Sequence, residues 1–242
     1  MLANHLSETV ATTPKPRRGL TLGEFVIATG IVLLIGFVTV AFFFPPVRRS
    51  REAARRSQCK NNLKQIAIAL HNYHDKYQAF PPAYTVDAEG KPLHSWRTLI
   101  LPFLEEQALY AKIDLTKPWD DQANAEVFKT NVNVYCCPSE LGPTTNCLRP
   151  GESARLSDIK DGTSNTLMVT EVDSEHAVPW MAPTDADESL FLAISPTSKL
   201  AHTGGVQAAL ADGSVRFLNA SMPAEIRRAL ISIDGNEKLT DY

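Results

Sequence analysis

Residues 17–44 read RRGLTLGEFVIATGIVLLIGFVTVAFFF, and this stretch decides the fold of the N-terminal part of the chain. Phe25 to Phe44 form a run of twenty residues without a charged side chain. As a helix with a rise of about 1.5 Å per residue, the run spans about 30 Å, the thickness of the hydrocarbon core of a bilayer. The stretch therefore predicts one membrane-spanning helix over residues 20–46.

Glu24 places a carboxylate at the edge of this apolar run, a few residues after Gly19 and two arginines. An ionisable group at that depth costs on the order of 2–3 kcal/mol or more, so it usually has a partner. A cut after Gly19 would create an ammonium group on Leu20 at membrane depth. Glu24 of one subunit is then placed to pair with Leu20 of a neighbour, which predicts an assembly role for Glu24.

This N-terminal pattern resembles the signal of type IV pilins and type II secretion pseudopilins. The resemblance implies a cytoplasmic leader over residues 1–19, cleavage after Gly19 by a prepilin peptidase and N-methylation of Leu20. Two residues depart from the family pattern, because Leu20 stands where Phe is usual and Gly23 replaces a large aliphatic residue. An uncleaved signal anchor is the alternative interpretation.

The charges on either side of the apolar run favour opposite topologies. Three basic residues precede the run, whereas six follow it within residues 48–60, and the positive-inside rule alone would keep the C-terminal side in the cytoplasm. The leader and the downstream cysteines favour the reverse. We expect a single-pass inner-membrane protein with its C-terminal part in the periplasm or at the cell envelope. A net charge of −3 predicts no nucleic-acid partner.

A second helical pattern follows Pro45 and Pro46. Apolar residues recur at roughly helical spacing and predict an amphipathic helix over residues 47–78, namely Ala53, Ala54, Cys59, Leu63, Ile66, Ala67 and Leu70. We expect this helix to continue the membrane helix and to pack on a globular part over residues 79–242. The predicted fold class is α+β and pilin-like, a long N-terminal helix packed on a globular head with an antiparallel β-sheet.

Later blocks of the sequence resemble a family of bacterial proteins, abundant in planctomycetes, that combine a prepilin-type N-terminus with a domain called DUF1559. The blocks read REAARRSQCKNNLKQIAIALHNYHDKYQAFPP at 51–82, DGTSNTLMVTEV at 161–172, AVPWMAPTD at 177–185 and HTGGVQAALADGSVRFLN at 202–219. The last block contains the family motif of His202, nine residues, then Asp212 and Gly213. The resemblance implies export and the architecture above.

Asp212 and Gly213 separate two alternating apolar runs, which predicts a β-hairpin. The alternative is a metal or acid–base pair of His202 and Asp212, with Glu171 at the end of a strand as a third member of a hydrolase site. No nucleophile motif accompanies them, so we expect no enzyme and no cofactor. Calcium at Asp185, Asp187 and Asp212 is a weak alternative, since EF-hand spacing is lacking.

Four cysteines in an exported region indicate disulfides, with three possible pairings. Cys136 and Cys137 are adjacent and seldom bond to each other because the ring is strained. We favour Cys59 with Cys137, and Cys136 with Cys147. A zinc site is the alternative, although the C-x2-C spacing of common zinc sites is absent.

The sequence supports one leading function and one alternative from another class. The leading hypothesis is a pilin-like or pseudopilin-like structural subunit of a cell-envelope filament or type II secretion-type apparatus. Its partners would be the prepilin peptidase, the inner membrane and other pilin-like subunits that contact its N-terminal helix. The alternative is a membrane-anchored binding module for glycan or peptide that uses the signal only for sorting.

Overall fold

A computed structural model describes residues 21–138, 145–147, 154–172, 175–185 and 188–235, without the side chains of 43–49 and 145–147. The chain divides into two compact units, which we call the first unit (residues 1–49) and the second unit (residues 50–242). Helix α1, Leu22–Tyr77, contributes to both. The two predicted helices, 20–46 and 47–78, therefore belong to one helical element.

In the first unit, α1 is apolar and exposed. Every residue from Thr21 to Phe42 is exposed. The span Leu22–Phe42 has 21 residues and a mean hydropathy of 2.7, so it is long and apolar enough to cross a membrane. This finding agrees with the predicted apolar helix and is compatible with either a single-pass anchor or a signal sequence.

In the second unit, α1 buries one face. Its buried residues recur every three or four positions, as expected of an amphipathic helix packed on a core, namely Cys59, Leu63, Ile66, Ala67 and Leu70. The helix ends where Gln78 adopts a positive φ of 61° and two prolines follow Phe80. The predicted amphipathic spacing is thus confirmed from Cys59 onward, whereas Ala53 and Ala54, which the pattern also placed on the apolar face, are exposed.

Among the described residues, two antiparallel sheets follow α1. The smaller contains β1 (Tyr84–Val86) and β2 (Pro92–Ser95). The larger has the order β3-β4-β5-β6, with β3 Thr145–Cys147, β4 Leu167–Glu171, β5 Gly205–Leu210 and β6 Val215–Asn219. Strand β5 is buried along its whole length because both of its faces are covered.

Short helices complete the described part of the chain. The α-helices are α2 (Trp96–Leu99), α3 (Gln107–Tyr110), α4 (Ala125–Phe128), α5 (Glu188–Leu192) and α6 (Ala224–Ile231). Single 3₁₀ turns lie at Leu101–Phe103, Gln122–Asn124, Asn133–Tyr135 and Leu156–Asp158. Together with the sheets they confirm the predicted α+β class.

The larger sheet separates two apolar cores of the second unit. On one side, α1 packs with Trp96, Tyr135 and Ala209. On the other, alternate residues of β5 pack with Phe191 of α5 and Leu230 of α6. Alternation along β5 sends neighbouring side chains to opposite faces. The sheet therefore holds the residues at the end of β4 and just before β5 against α1.

Candidate functional site

Thr21 and Glu24 form a capping box at the start of α1. The Thr21 N–H and hydroxyl donate to the Glu24 carboxylate at 2.8 and 2.9 Å, and the Glu24 N–H donates to Thr21 Oγ1 at 3.4 Å. Such a box satisfies backbone donors that a helix start otherwise leaves unpaired. Glu24 is exposed and already has a partner within its own chain. Its predicted pairing with a neighbouring subunit stays a prediction, and Gly19 and Leu20 lie outside the described residues.

The Cys59–Cys137 disulfide is confirmed. It joins α1 to the segment after the 3₁₀ turn Asn133–Tyr135, with a Cα–Cα distance of 5.3 Å across a separation of 78 residues. Cys136 is extended, so successive side chains point to opposite sides and Cys137 faces the core. The bond ties the packed part of α1 to the second unit.

The second predicted disulfide, Cys136 with Cys147, is not formed, since Cys136 is a free thiol. Its thiol donates to Asn131 Oδ1 with a sulfur–oxygen distance of 3.0 Å, on the side of the chain opposite to Cys137. Burial raises the pKa of this thiol, and the hydrogen bond with Asn131 offsets only part of the increase. A raised pKa lowers the reactivity of the thiol. The side chain of Cys147 lies outside the described residues.

The disulfide meets two further side chains in what we call the disulfide–histidine cluster, formed by Cys59, Cys137, Glu171 and His202. All four are buried, and their candidate ligand atoms lie within 4.8 Å of one another. His202 Nε2 is 3.7 Å from Cys137 Sγ and 3.6 Å from Glu171 Oε1. Glu171 ends β4, and His202 forms a single bridge with Gly205 just before β5.

Charges surround the imidazole on both sides. His202 Nδ1 lies 3.1 Å from Oε1 of Glu52 in α1. The same oxygen lies 3.9 Å from Nε of Arg56, which is one helical turn later in α1. The Gln207 N–H donates to the other oxygen of Glu171 at 2.8 Å. Burial by itself would lower the pKa of His202, but the hydrogen bonds and negative charges of Glu171 and Glu52 outweigh it and raise the pKa.

His202 and Asp212 do not form a pair. The six residues of β5 separate them, and a strand of that length spans about 20 Å. Asp212 instead shapes the predicted hairpin turn, where its Oδ1 accepts the Ser214 N–H at 2.8 Å and Gly213 adopts a φ of 80°. Gly213 therefore has the backbone conformation that favours glycine in this turn.

Two of the calcium candidates, Asp185 and Asp212, have separate partners of their own. Asp185 pairs with the buried Arg97, and Asp212 is used in its turn. Asp187 lies outside the described residues. Arg97 also donates to the carbonyl oxygens of Trp180, Ala182 and Thr184, so the pair with Asp185 is part of a packed structural network.

Sequence reasoning named the members of the disulfide–histidine cluster but not their contact. It placed Glu171 at the end of a strand but did not predict that this side chain is buried there. It assigned no role to Glu52. The signal that was available is the alternation of β4, which places Glu171 on the same side of the sheet as Val169 of the core that α1 joins.

These features define a class of protein. It has an α+β unit that a disulfide ties to the packed part of a long helix, and the earlier part of that helix is an exposed apolar span. A protein-family model described as "Protein of unknown function (DUF1559)" matches residues 48–153. The match includes the packed part of α1 and both cysteines of the disulfide. The match identifies a DUF1559 domain over residues 48–153. No curated protein and no solved structure matches the chain.

Proposed function

We propose that this chain is a pilin-like or pseudopilin-like structural subunit of a cell-envelope filament or a type II secretion-type apparatus. The observation that carries the proposal is the exposed apolar span Leu22–Phe42. It belongs to the same helical element, α1, whose later residues are buried in the second unit. A helix of this kind serves as an anchor in the inner membrane before assembly and as the contact surface between subunits after it.

The Cys59–Cys137 disulfide supports export of the second unit. Disulfides persist in oxidising compartments and are rare in the cytosol, where thiols are kept reduced. This favours a second unit in the periplasm or at the cell envelope, against the topology that the positive-inside rule alone would give. The basic residues after the apolar span then lie beside membrane headgroups, which attract such side chains by about 1 kcal/mol each.

In the proposed assembly, a prepilin peptidase cuts after Gly19 and Leu20 becomes the N-methylated first residue. Its ammonium group then pairs with Glu24 of a neighbouring subunit. A carboxylate has lone pairs beyond those that Thr21 uses, so the capping box and an intersubunit pair are compatible. Both charges are matched only after assembly, which favours the assembled state.

The first test is the intact mass and N-terminal sequence of the protein purified from its native membrane. The expected result is a chain that begins at methylated Leu20. The matched variants are Gly19→Val, which should retain its leader, and Gly23→Ala, which should be cleaved normally because its Cβ meets open space. A wild-type chain that begins at Met1 would overturn the processing proposal.

The capping box favours one alternative, a membrane-anchored binding module. Because Thr21 satisfies Glu24 locally, Glu24 can act in helix capping without a neighbouring subunit. Glu24→Gln separates the two roles, since Gln keeps a capping box but carries no charge. Under the structural-subunit proposal this variant inserts and is cleaved but loses chemical cross-links between subunits. Unchanged cross-links, or none in the wild type, would favour the binding module.

A further inference from the structure

We propose that Cys59, Cys137, Glu171 and His202 bind one zinc ion when the Cys59–Cys137 disulfide is reduced. The disulfide and the zinc ion would then be alternative links between α1 and the larger sheet. The proposal rests on the geometry and chemistry of the disulfide–histidine cluster and is independent of assembly through the N-terminal helix.

The donor distances fit a tetrahedral zinc site. Zinc–ligand bonds of about 2.0–2.3 Å place neighbouring donor atoms about 3.3–3.8 Å apart in a tetrahedron. His202 Nε2 is 3.7 Å from Cys137 Sγ and 3.6 Å from Glu171 Oε1. Once the sulfur–sulfur bond is broken, the two thiolates need to separate only to this same distance. Two edges of the tetrahedron are thus already present in the oxidised protein.

The donor set and its burial also fit zinc. Two cysteines, one histidine and one carboxylate are all common zinc ligands. Cys59, Cys137, Glu171 and His202 are at most 4% exposed. Since all four positions of a tetrahedral ion would be filled from the protein, the site is closed, as structural zinc sites are. The residues come from α1, the segment after Tyr135, β4 and the segment before β5, so the ion would link distant parts of the second unit.

Two neighbours orient the ligands in the manner usual for metal sites. Glu52 lies 3.1 Å from His202 Nδ1, so this nitrogen keeps its proton, and Nε2 faces the cluster and becomes the ligand once any proton on it is lost. The Gln207 N–H holds the far oxygen of Glu171 at 2.8 Å and leaves Oε1 towards Nε2. A carboxylate–histidine–metal arrangement of this kind raises the basicity of the ligand nitrogen.

The chemical step balances with a dithiol as reductant. The dithiol gives two electrons and two protons to the disulfide, which becomes two thiols, and is itself oxidised to a disulfide. Zinc then displaces both thiol protons, and any proton on Nε2, into solvent. The reverse reaction releases zinc and reforms the sulfur–sulfur bond, while an acceptor disulfide takes the two electrons, and two protons from solvent, to become a dithiol.

The test uses the full chain in detergent as the Cys136→Ser/Cys147→Ser variant, which keeps only the two cluster thiols. After reduction with a phosphine and removal of the reductant without oxygen, zinc is added and the bound metal is counted by mass spectrometry. We expect one zinc per reduced chain and none per oxidised chain. Cobalt(II) in place of zinc should give thiolate charge-transfer bands and the intense visible bands of a tetrahedral site.

Single substitutions decide between this site and adventitious binding by thiols. His202→Gln and Glu171→Gln should each abolish stoichiometric zinc binding. Glu52→Gln, which changes no ligand, should weaken zinc binding about 10- to 100-fold in competition with a chelator. Thermal melting of the oxidised variants checks that each is folded. No zinc in the reduced double variant, or zinc affinity unchanged in all three substitutions, would overturn the proposal.

Discussion

Both parts of α1 contain large apolar side chains, but these side chains are exposed in the first unit and buried in the second. From Leu22 to Phe42 every side chain is exposed, whereas Leu63 and Ile66 in the second unit are 1% and 0% exposed. Helix propensity cannot explain this difference. The packed part has a protein core around it, whereas the apolar part is exposed along all of Leu22–Phe42. A second apolar environment, a bilayer or the helices of other subunits, is needed to remove that surface from water.

The comparison predicts that single substitutions in the packed part have the largest effect on stability. Ile66→Ala removes buried methyl and methylene groups from the core and should lower the free energy of unfolding by about 2–5 kcal/mol. Ile68→Ala is the matched control. Ile68 lies half a turn away and is 50% exposed, so we expect a change of about 0.5 kcal/mol or less.

Urea unfolding of the full chain in detergent, followed by tryptophan fluorescence, measures both free energies. The three tryptophans all lie in the second unit, so the signal reports on that unit. Equal losses in the two variants would show that α1 does not pack on the second unit through this face. That result would contradict the distinction between the two parts of the helix.

A charge in the apolar part should instead act on membrane insertion. Leu33→Arg places a charge near the centre of the span and should disfavour insertion by about 2.5–3.5 kcal/mol. The measurement is the fraction of protein that stays with membranes after alkaline carbonate extraction. Leu33→Ala is the control, which should extract like the wild type. Unchanged extraction of Leu33→Arg, or a lower unfolding free energy of its second unit, would contradict the membrane assignment.

Local patterns were sufficient to predict α1 and the β5–β6 hairpin. The buried face of α1 follows the 3.6-residue period, and Asp212-Gly213 gives the turn its positive φ. The contacts of His202 were not predictable in this way. They depend on how the larger sheet packs against α1, which brings together residues far apart in sequence. Glu52 is the clearest example of a contact that local patterns do not predict. In the sequence it resembles any other charged residue on the helix surface, and only the tertiary packing places it beside His202.

The two parts of the chain should also differ in their response to pH. The expected effect, on the stability of the second unit, is smaller than that of the substitutions above. His94 in β2 is fully buried, and burial lowers its pKa; the backbone groups of Lys117 and Asp114 and the charge of Asp114 only partly offset this decrease. The unfolded chain, with a histidine pKa of about 6.5, then binds a proton more readily than the folded chain. Stability should fall as pH drops below that value, by at most about 1.4 kcal/mol per pH unit from this one group.

His202 contributes in the opposite direction, because its pKa is raised and its stabilisation is lost only as pH increases. The difference between the acid-side slopes of the wild type and His94→Gln therefore isolates the contribution of His94. Urea unfolding of the oxidised chain at pH values between 7 and about 5, for the wild type and His94→Gln, measures that slope. Slopes are compared rather than absolute stabilities, since the substitution itself also changes packing.

The span Leu22–Phe42 has no titratable group except Glu24, so its membrane association should not follow the same pH profile as the stability of the second unit. An equal slope in His94→Gln would assign the acid sensitivity of the second unit to its carboxylates instead.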